Sequence, residues 1–278
     1  MSFRALVPAL LALCCVQAAP AQSAAWRFRW QAGQVLTYRV EQQTQAVEVL
    51  AGARAETKTK TNLVKRWQVV SVDAKGVATL QHSLAALRME TVTPSGETLL
   101  FDSANLDKSN PQLREQLSKY VGVSLSTLRV DPWGRVAEVK ESKFGPASRF
   151  EAELPFIVIL PGAVPGEGQS WQREYKITLE PPAGTGEQYV CAQRYTCKRV
   201  ESAGVVIGVR TEPKSLPEAL ADQVPLLRLQ PEGEVVFDLN AGRMHSARLR
   251  VQKELKGHQG EGSSYRFESI CTEEYTGN

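Results

Sequence analysis

The sequence predicts a mainly β protein: an antiparallel meander in which two related β units form a half-barrel or a sandwich, with one or two short helices. Long segments alternate polar and apolar residues, small-residue turns separate them, and the second half repeats turn motifs of the first. The 33 basic and 30 acidic residues are interspersed along the chain. This charge pattern excludes the basic field that nucleic-acid binding requires.

Residues 1–24 have the features of a signal peptide. Arg4 gives a positive start, residues 5–16 are apolar, and small residues at 19–24 offer cleavage sites. The apolar run is shorter than the about 20 residues that span a bilayer, and no later run is as long as that. Cys14 and Cys15 are interpreted as ordinary leader residues, since neither follows a small residue as lipid attachment expects, and lipidation is the less favoured alternative. The protein is therefore predicted to be exported, periplasmic or extracellular, and not membrane-spanning.

Residues 25–143 form the first predicted β unit. Its opening aromatics, Trp26, Phe28 and Trp30, alternate with arginines, which predicts a strand with the rings packed inward. Stacking on nucleic-acid bases or lying at a membrane surface is the less favoured interpretation. Further strands are predicted from the alternation at 36–40, 65–72, 77–92, 124–130 and 135–140, with turns at 73–76, 94–96 and 131–134.

A helix near 110–121 interrupts this unit. Asn110 is a good N-cap, Pro111 suits the first helical position, and Gly122 follows the end. The apolar residues of this segment fall on one narrow face: Leu113, Leu117, Tyr120 and Val121. We expect the helix to plug one end of the β core, and a lid or partner helix is the alternative.

Residues 168–278 form the second predicted unit. Gly33-Gln34 is echoed by Gly168-Gln169, and the turn DPWGRV at 131–136 is matched by DLNAGRM at 238–244. A short helix is predicted within 215–223, where the first unit has its helix. Residues 144–167 form a proline-rich crossing segment between the units, and its apolar run at 156–160 is predicted to be buried.

The sequence predicts no catalytic, metal or cofactor site. His82, His245 and His258 are isolated from one another, which favours structural or solvated roles. There is no Gly-x-Ser-x-Gly elbow, no glycine-rich loop leading a helix, and no calcium-loop spacing in the acidic stretch at 102–110. Glu273 and Glu274 are neighbours on a predicted strand, so they point to opposite faces and cannot act as a carboxylate pair.

Three cysteines follow the predicted leader: Cys191, Cys197 and Cys271. On one straight strand the first two are about 20 Å apart, so a disulfide between Cys271 and one of them is expected. A tight turn at 193–194 would instead allow Cys191 and Cys197 to pair.

The strand entry at 168–171, the Phe237-Asp238 strand end and Gly242-Arg243 resemble a loose group of exported bacterial β-rich proteins of unknown function. The resemblance implies no catalytic residues. We expect a non-enzymatic exported protein that binds an apolar or lipid-like molecule on a concave β face. The alternative is a structural or interaction module of the cell envelope that docks a protein or polysaccharide, with an exposed Trp133 at its hairpin tip as the candidate contact.

Overall fold

The computed structural model describes residues 25–181, 183–202 and 204–277, so the predicted signal peptide lies outside the described residues. The strands are β1 Val35–Leu50, β2 Ala53–Val72, β3 Ala78–Val92, β4 Thr98–Asp102, β5 Ser124–Val130, β6 Val136–Ser142, β7 Ser170–Thr178, β8 Gln188–Val200, β9 Gly204–Pro213, β10 Glu232–Asp238, β11 Arg243–Lys256 and β12 Ser264–Gly277. All pair antiparallel in one 12-stranded sheet, in the order β6-β5-β3-β2-β1-β12-β11-β10-β9-β8-β7, with β4 added beside β3.

The predicted fold class is confirmed: the protein is a mainly β, antiparallel meander with short helices. Residues 25–143, predicted as the first unit, contain β1 to β6, residues 168–278, predicted as the second, contain β7 to β12, and β1 pairs with β12. In the described part of the chain the outer strands β6 and β7 end the sheet without pairing to each other. One continuous open sheet corresponds to the half-barrel alternative and not to two packed sheets.

The inner face of the sheet follows the predicted alternation. Leu36, Tyr38 and Val40 on β1, and Trp67 and Val69 on β2, are all buried while their neighbours in sequence are more exposed. A period of two places alternate side chains on one face, and here that face encloses the core.

Trp26, Phe28 and Trp30 are buried as predicted, but their segment is not a strand of the sheet. It is extended chain that lies inside the curve of the sheet, where Phe28 stacks on Trp30 and packs edge-on against Phe237 of β10. Its amides bond to two hairpin turns: Phe28 N–H donates to Pro132 O at 2.7 Å and Arg29 N–H to Gly242 O at 2.9 Å. Because these N–H groups donate to carbonyls of the turns, they are not available for pairing with a strand of the sheet.

The crossing segment is buried as predicted, with Phe156, Ile157, Val158, Ile159 and Leu160 all in the core. Its irregular backbone is satisfied by side chains of the second unit: Trp171 Nε1–H donates to Ile159 O at 2.7 Å, and the Tyr195 hydroxyl lies 2.8 Å from Ile157 O. Residues of both units pack around it in one hydrophobic cluster. The sheet must therefore curve around the segment.

The first helix, α1 Pro111–Leu117, begins where the sequence predicts. The Asn110 side chain accepts from the amides of Gln112 and Leu113, and a 3₁₀ turn at Ser118–Tyr120 completes the segment. α1 buries none of its residues fully and packs beside β4. The second helix, α2 Leu220–Gln223, is shorter than the predicted 215–223 and runs into a 3₁₀ helix, Val224–Leu229, that buries Leu226 and Leu227. No helix within the described ranges combines the length and apolar character needed to cross a membrane.

The two Gly-Gln motifs make equivalent hydrogen bonds. Gly33 N–H donates to Val69 O and Val69 N–H to Gln34 O, while Gly168 N–H donates to Cys197 O and Cys197 N–H to Gln169 O. Both glycines have positive φ, +85° and +79°, which glycine adopts without strain. Val69 of β2 and Cys197 of β8 therefore occupy corresponding positions, and so do the residues that precede them.

Candidate functional site

A cavity of about 430 Å³ lies between the inner face of the first unit and the start of the crossing segment. β1, β2, β3, β5 and β12 form one wall, and residues 144–154 form the other. Eight of the fifteen lining residues are apolar or aromatic: Val40, Leu63, Leu84, Tyr120, Leu125, Phe144, Ala152 and Leu154. The polar lining is Gln42, Lys65, His82, Arg149, Glu153, Cys271 and Glu273. Within it, Lys65, His82 and Glu273 form a buried group that we call the polar floor.

Lys65 is the centre of the polar floor. Its Nζ donates to Glu273 Oε2 at 2.7 Å, to the Leu154 carbonyl at 2.8 Å and to Glu153 Oε1 at 3.0 Å. An ammonium has three N–H donors, so all three are used. Burial lowers the pKa of Lys65, but the two carboxylates outweigh burial and raise it overall, so Lys65 is charged.

The two carboxylates that share Lys65 differ in their surroundings. Glu273 is 2% exposed, and burial together with the charge of Glu153 raises its pKa to about 7 in spite of the ammonium. Glu153 sits at the edge of the cavity with a side chain that is 31% exposed. Burial raises the pKa of Glu153 too, but Lys65 outweighs it and the net shift is downward. Glu153 is thus the firmly ionised partner, and Glu273 titrates near neutrality.

His82 completes the polar floor from β3. Its ring stacks on Trp67 with 4.4 Å between ring centroids and is 3% exposed. Burial lowers the pKa of His82 to about 4, so the imidazole is neutral. Neither Nδ1 nor Nε2 has a hydrogen-bond partner, and Glu273 Oε1 has none either.

The opposite side of the cavity is aromatic. The rings of Tyr120 and Phe144 meet edge-to-face with 4.4 Å between centroids, and the Lys119 ammonium lies over both. Arg149 lies beside them, half-buried, and its guanidinium donates to the Phe144 carbonyl at 2.7 Å. Tyr120 belongs to the turn after α1, so the predicted helix contributes to the cavity through its C-terminal extension.

The corresponding position of the second unit holds a closed polar network. Gln193 precedes Cys197 by four residues, as Lys65 precedes Val69. Its Nε2 donates to Thr211, and its Oε1 accepts from Arg173 at 2.9 Å and lies 2.6 Å from the Tyr195 hydroxyl. None of these side chains is among the buried polar groups of the described residues that lack a partner. Lys65 and Gln193 are thus both fully hydrogen-bonded, and within the polar floor the unpaired atoms belong to His82 and Glu273.

The larger depression of the structure, about 620 Å³, lies on the outer face of β8 to β12. Its arginines, including Arg194, Arg210 and Arg248, are exposed to water. Arg210 and Arg250 already pair with Glu212 and Glu232. Exposed charges of this kind bind weakly and are screened by salt, so the cavity with the buried polar floor is the better candidate site.

The cysteines predicted to form a disulfide are all free. Cys191 and Cys197 lie on β8 and Cys271 lies on β12, and β9, β10 and β11 separate the two strands. At about 4.8 Å between neighbouring strands this spacing is beyond disulfide reach along the sheet, so the expected bond to Cys271 is not formed. Cys271 instead lines the cavity, where burial raises its pKa to about 11 and keeps it a thiol.

Trp133 does not stand out from its hairpin as expected. Its ring is half-buried and packs against the main core, and its indole N–H is buried. The turn folds back because Phe28 and Leu160 bond to the carbonyls of Pro132 and Trp133. The residue therefore contributes to packing.

Sequence reasoning missed Lys65, Glu153 and Glu273 as a group. One signal was present: Lys65 is in phase with Trp67 and Val69, which places a charged side chain on the inner face of a strand. Glu273 does point away from Glu274, as predicted, but its partners come from β2 and from the crossing segment. No group of His, Cys, Asp or Glu suited to holding a metal occurs in the described ranges.

The sequence matches no protein-family model and no curated protein. Among solved structures, the chain is similar to DynF from the dynemicin biosynthesis pathway of Micromonospora chersina, with 8% identity over 91% of this chain and 86% of that chain and a TM-score of 0.24. A similarity at this level supports no inference about the function of the chain.

Proposed function

We propose that this protein is an exported, non-enzymatic carrier that holds one small apolar or amphipathic molecule in the cavity of the first unit. The observation that carries the proposal is the cavity itself, which combines apolar and aromatic side chains with the buried polar groups of the polar floor. Small-molecule sites in proteins have this composition and volumes of about 300–1,000 Å³. The leader at 1–24 supports the exported location.

The arrangement suits reversible binding because the walls differ in rigidity. The strands that form one wall belong to the continuous sheet, whereas Tyr120 and Phe144 come from a 3₁₀ turn and an irregular segment. Separating these two rings opens the cavity without breaking a strand pair. We expect Phe144→Ala to speed ligand release while leaving the fold intact.

The first test is native mass spectrometry of the mature protein purified from its own envelope, followed by organic extraction and analysis of the released material. A bound apolar species supports the carrier function. An empty protein that also fails to bind a fluorescent apolar probe, N-phenyl-1-naphthylamine, overturns it.

A pair of substitutions in one short segment locates the site. Ala152 lines the cavity, whereas Ala147 is exposed and lies outside it. Ala152→Trp fills the cavity and is expected to abolish probe binding, and Ala147→Trp serves as the matched control that retains it. Equal probe binding by the two variants would place the ligand elsewhere.

A further inference from the structure

The polar floor contains hydrogen-bonding atoms without partners, although it lies in the interior. Glu273 Oε1 and both ring nitrogens of His82 are buried and unpaired. Buried polar groups in native proteins are nearly always paired, because leaving one unpaired destabilises the fold.

Resting on the proposed function, we propose that the ligand has a neutral polar head that donates a hydrogen bond, such as a hydroxyl group, and that this head docks on the unpaired imidazole of His82 in the polar floor. The head donates to the unprotonated imidazole nitrogen of His82, which accepts the hydrogen bond. The apolar body then extends toward Tyr120 and Phe144, which line the same cavity.

The other charged groups argue against an ionised head. A carboxylate would meet Glu273 and Glu153, and the ammonium of Lys65 has no donor left for it. A cationic head would face Lys65 and Arg149, whose two positive charges already balance the two carboxylates. A neutral donor avoids both costs.

Four ligands that share a straight ten-carbon chain and differ mainly in the head test this inference: decan-1-ol, methyl decanoate, decanoate and decylamine. Each is titrated against the full mature chain by displacement of N-phenyl-1-naphthylamine. We expect decan-1-ol to bind best and methyl decanoate, which accepts but cannot donate, to bind about tenfold more weakly. Equal affinity of the ester and the alcohol, or preference for decanoate or decylamine, overturns the head assignment while leaving the carrier function standing. Failure of the whole series to displace the bound N-phenyl-1-naphthylamine overturns this inference, whereas the carrier function is overturned only if the protein is empty and does not bind the probe itself.

His82→Phe adds a readout that a merely structural role would not produce. The phenyl ring keeps the stacking on Trp67 but has no nitrogen, so the two unpaired ring nitrogens are removed. We expect the variant to melt at a higher temperature, to lose most of the preference for decan-1-ol, and to bind methyl decanoate as before.

The matched control is Ser126→Ala. Ser126 lies opposite His82 on β5 and has a buried hydroxyl without a partner, but it does not line the cavity. Ser126→Ala should raise the melting temperature without changing the preference for decan-1-ol. Preservation of that preference in His82→Phe contradicts the inference.

Discussion

Replacing Lys65 with methionine tests the polar floor most directly. The methionine has a similar volume, so the effect comes from the lost charge and not from a cavity. Glu273 Oε1 already lacks a partner, and the substitution removes the partner of Oε2 as well. The Leu154 carbonyl also loses its donor. Removing one member of a buried ion pair costs about 3–5 kcal/mol, because the other charge remains buried and uncompensated.

For a chain of this size such a loss lowers the melting temperature by roughly 6–20 °C. The loss should be larger at about pH 8 than at about pH 5, since protonation of Glu273 removes the stranded charge at low pH. Differential scanning calorimetry at the two pH values measures both effects.

The double variant Lys65→Met, Glu273→Met is the control. It replaces both buried charges with apolar side chains of similar volume, a change that is often nearly neutral, so it should be more stable than the single variant by about 2 kcal/mol or more. Wild-type stability of Lys65→Met at about pH 8 would refute the reasoning, because an ionised Glu273 could then tolerate burial without its ammonium.

Three further predictions follow from other features. The pKa of Glu273 is raised from 4.5 to about 7, so the stability that Glu273 contributes is lost as pH rises through this window. The pKa of His82 is lowered from 6.5 to about 4, so the stability that His82 contributes is lost as pH falls through its own window. In the wild type these two pH dependences of the free energy of unfolding oppose each other. Urea unfolding should therefore show stability that falls with pH in His82→Phe and rises with pH in Glu273→Gln, each by up to about 1.4 kcal/mol per pH unit. Gly134→Ala should cost about 1–3 kcal/mol in urea unfolding, because its Cβ would lie 2.6 Å from the Phe28 ring and 2.8 Å from Val158 O at a φ of +88°. Gly33→Ala, with a similar φ and no atom within 4 Å, should cost less. Iodoacetamide should alkylate Cys271 slowly in the native protein, and bound decan-1-ol should lower the rate of alkylation further. A rate that no bound ligand changes would show that Cys271 does not lie at the binding site.

The parts of the fold that the sequence predicted are those with a local cause. The alternation on β1 and β2 and the Asn110 cap each depend on residues close together in the chain. The segment at 26–30 also alternates, which correctly predicted burial of its aromatics. Its pairing could not be inferred, since its hydrogen bonds go to turns more than a hundred residues away.

The site was beyond sequence reasoning for the same reason. Lys65 and Glu273 lie on β2 and β12, which both pair with β1, and Glu153 comes from the crossing segment, so strand order and the packing of that segment bring them together. Trp133 is a case that the sequence leaves open: a tryptophan at a hairpin tip either folds back on the sheet or contacts a partner, and here the contacts of Phe28 and Leu160 fold it back.

Comparison of the two units separates the structural part of the polar floor from the part available to a ligand. Glu151 ends a 3₁₀ helix and Glu153 follows it by two residues. Their carboxylates pair with cations of different units, Glu151 with Arg173 and Glu153 with Lys65. Arg173 bonds to the carbonyl of Glu151 and Lys65 to that of Leu154, so each unit uses a cation to anchor the crossing segment. This anchoring accounts for Lys65 and Glu153 without any ligand. It leaves the free oxygen of Glu273 and the imidazole of His82 unexplained, and these are the atoms that face a cavity bounded by apolar side chains. Variants of Lys65 should therefore act first on stability, and variants of His82 on binding.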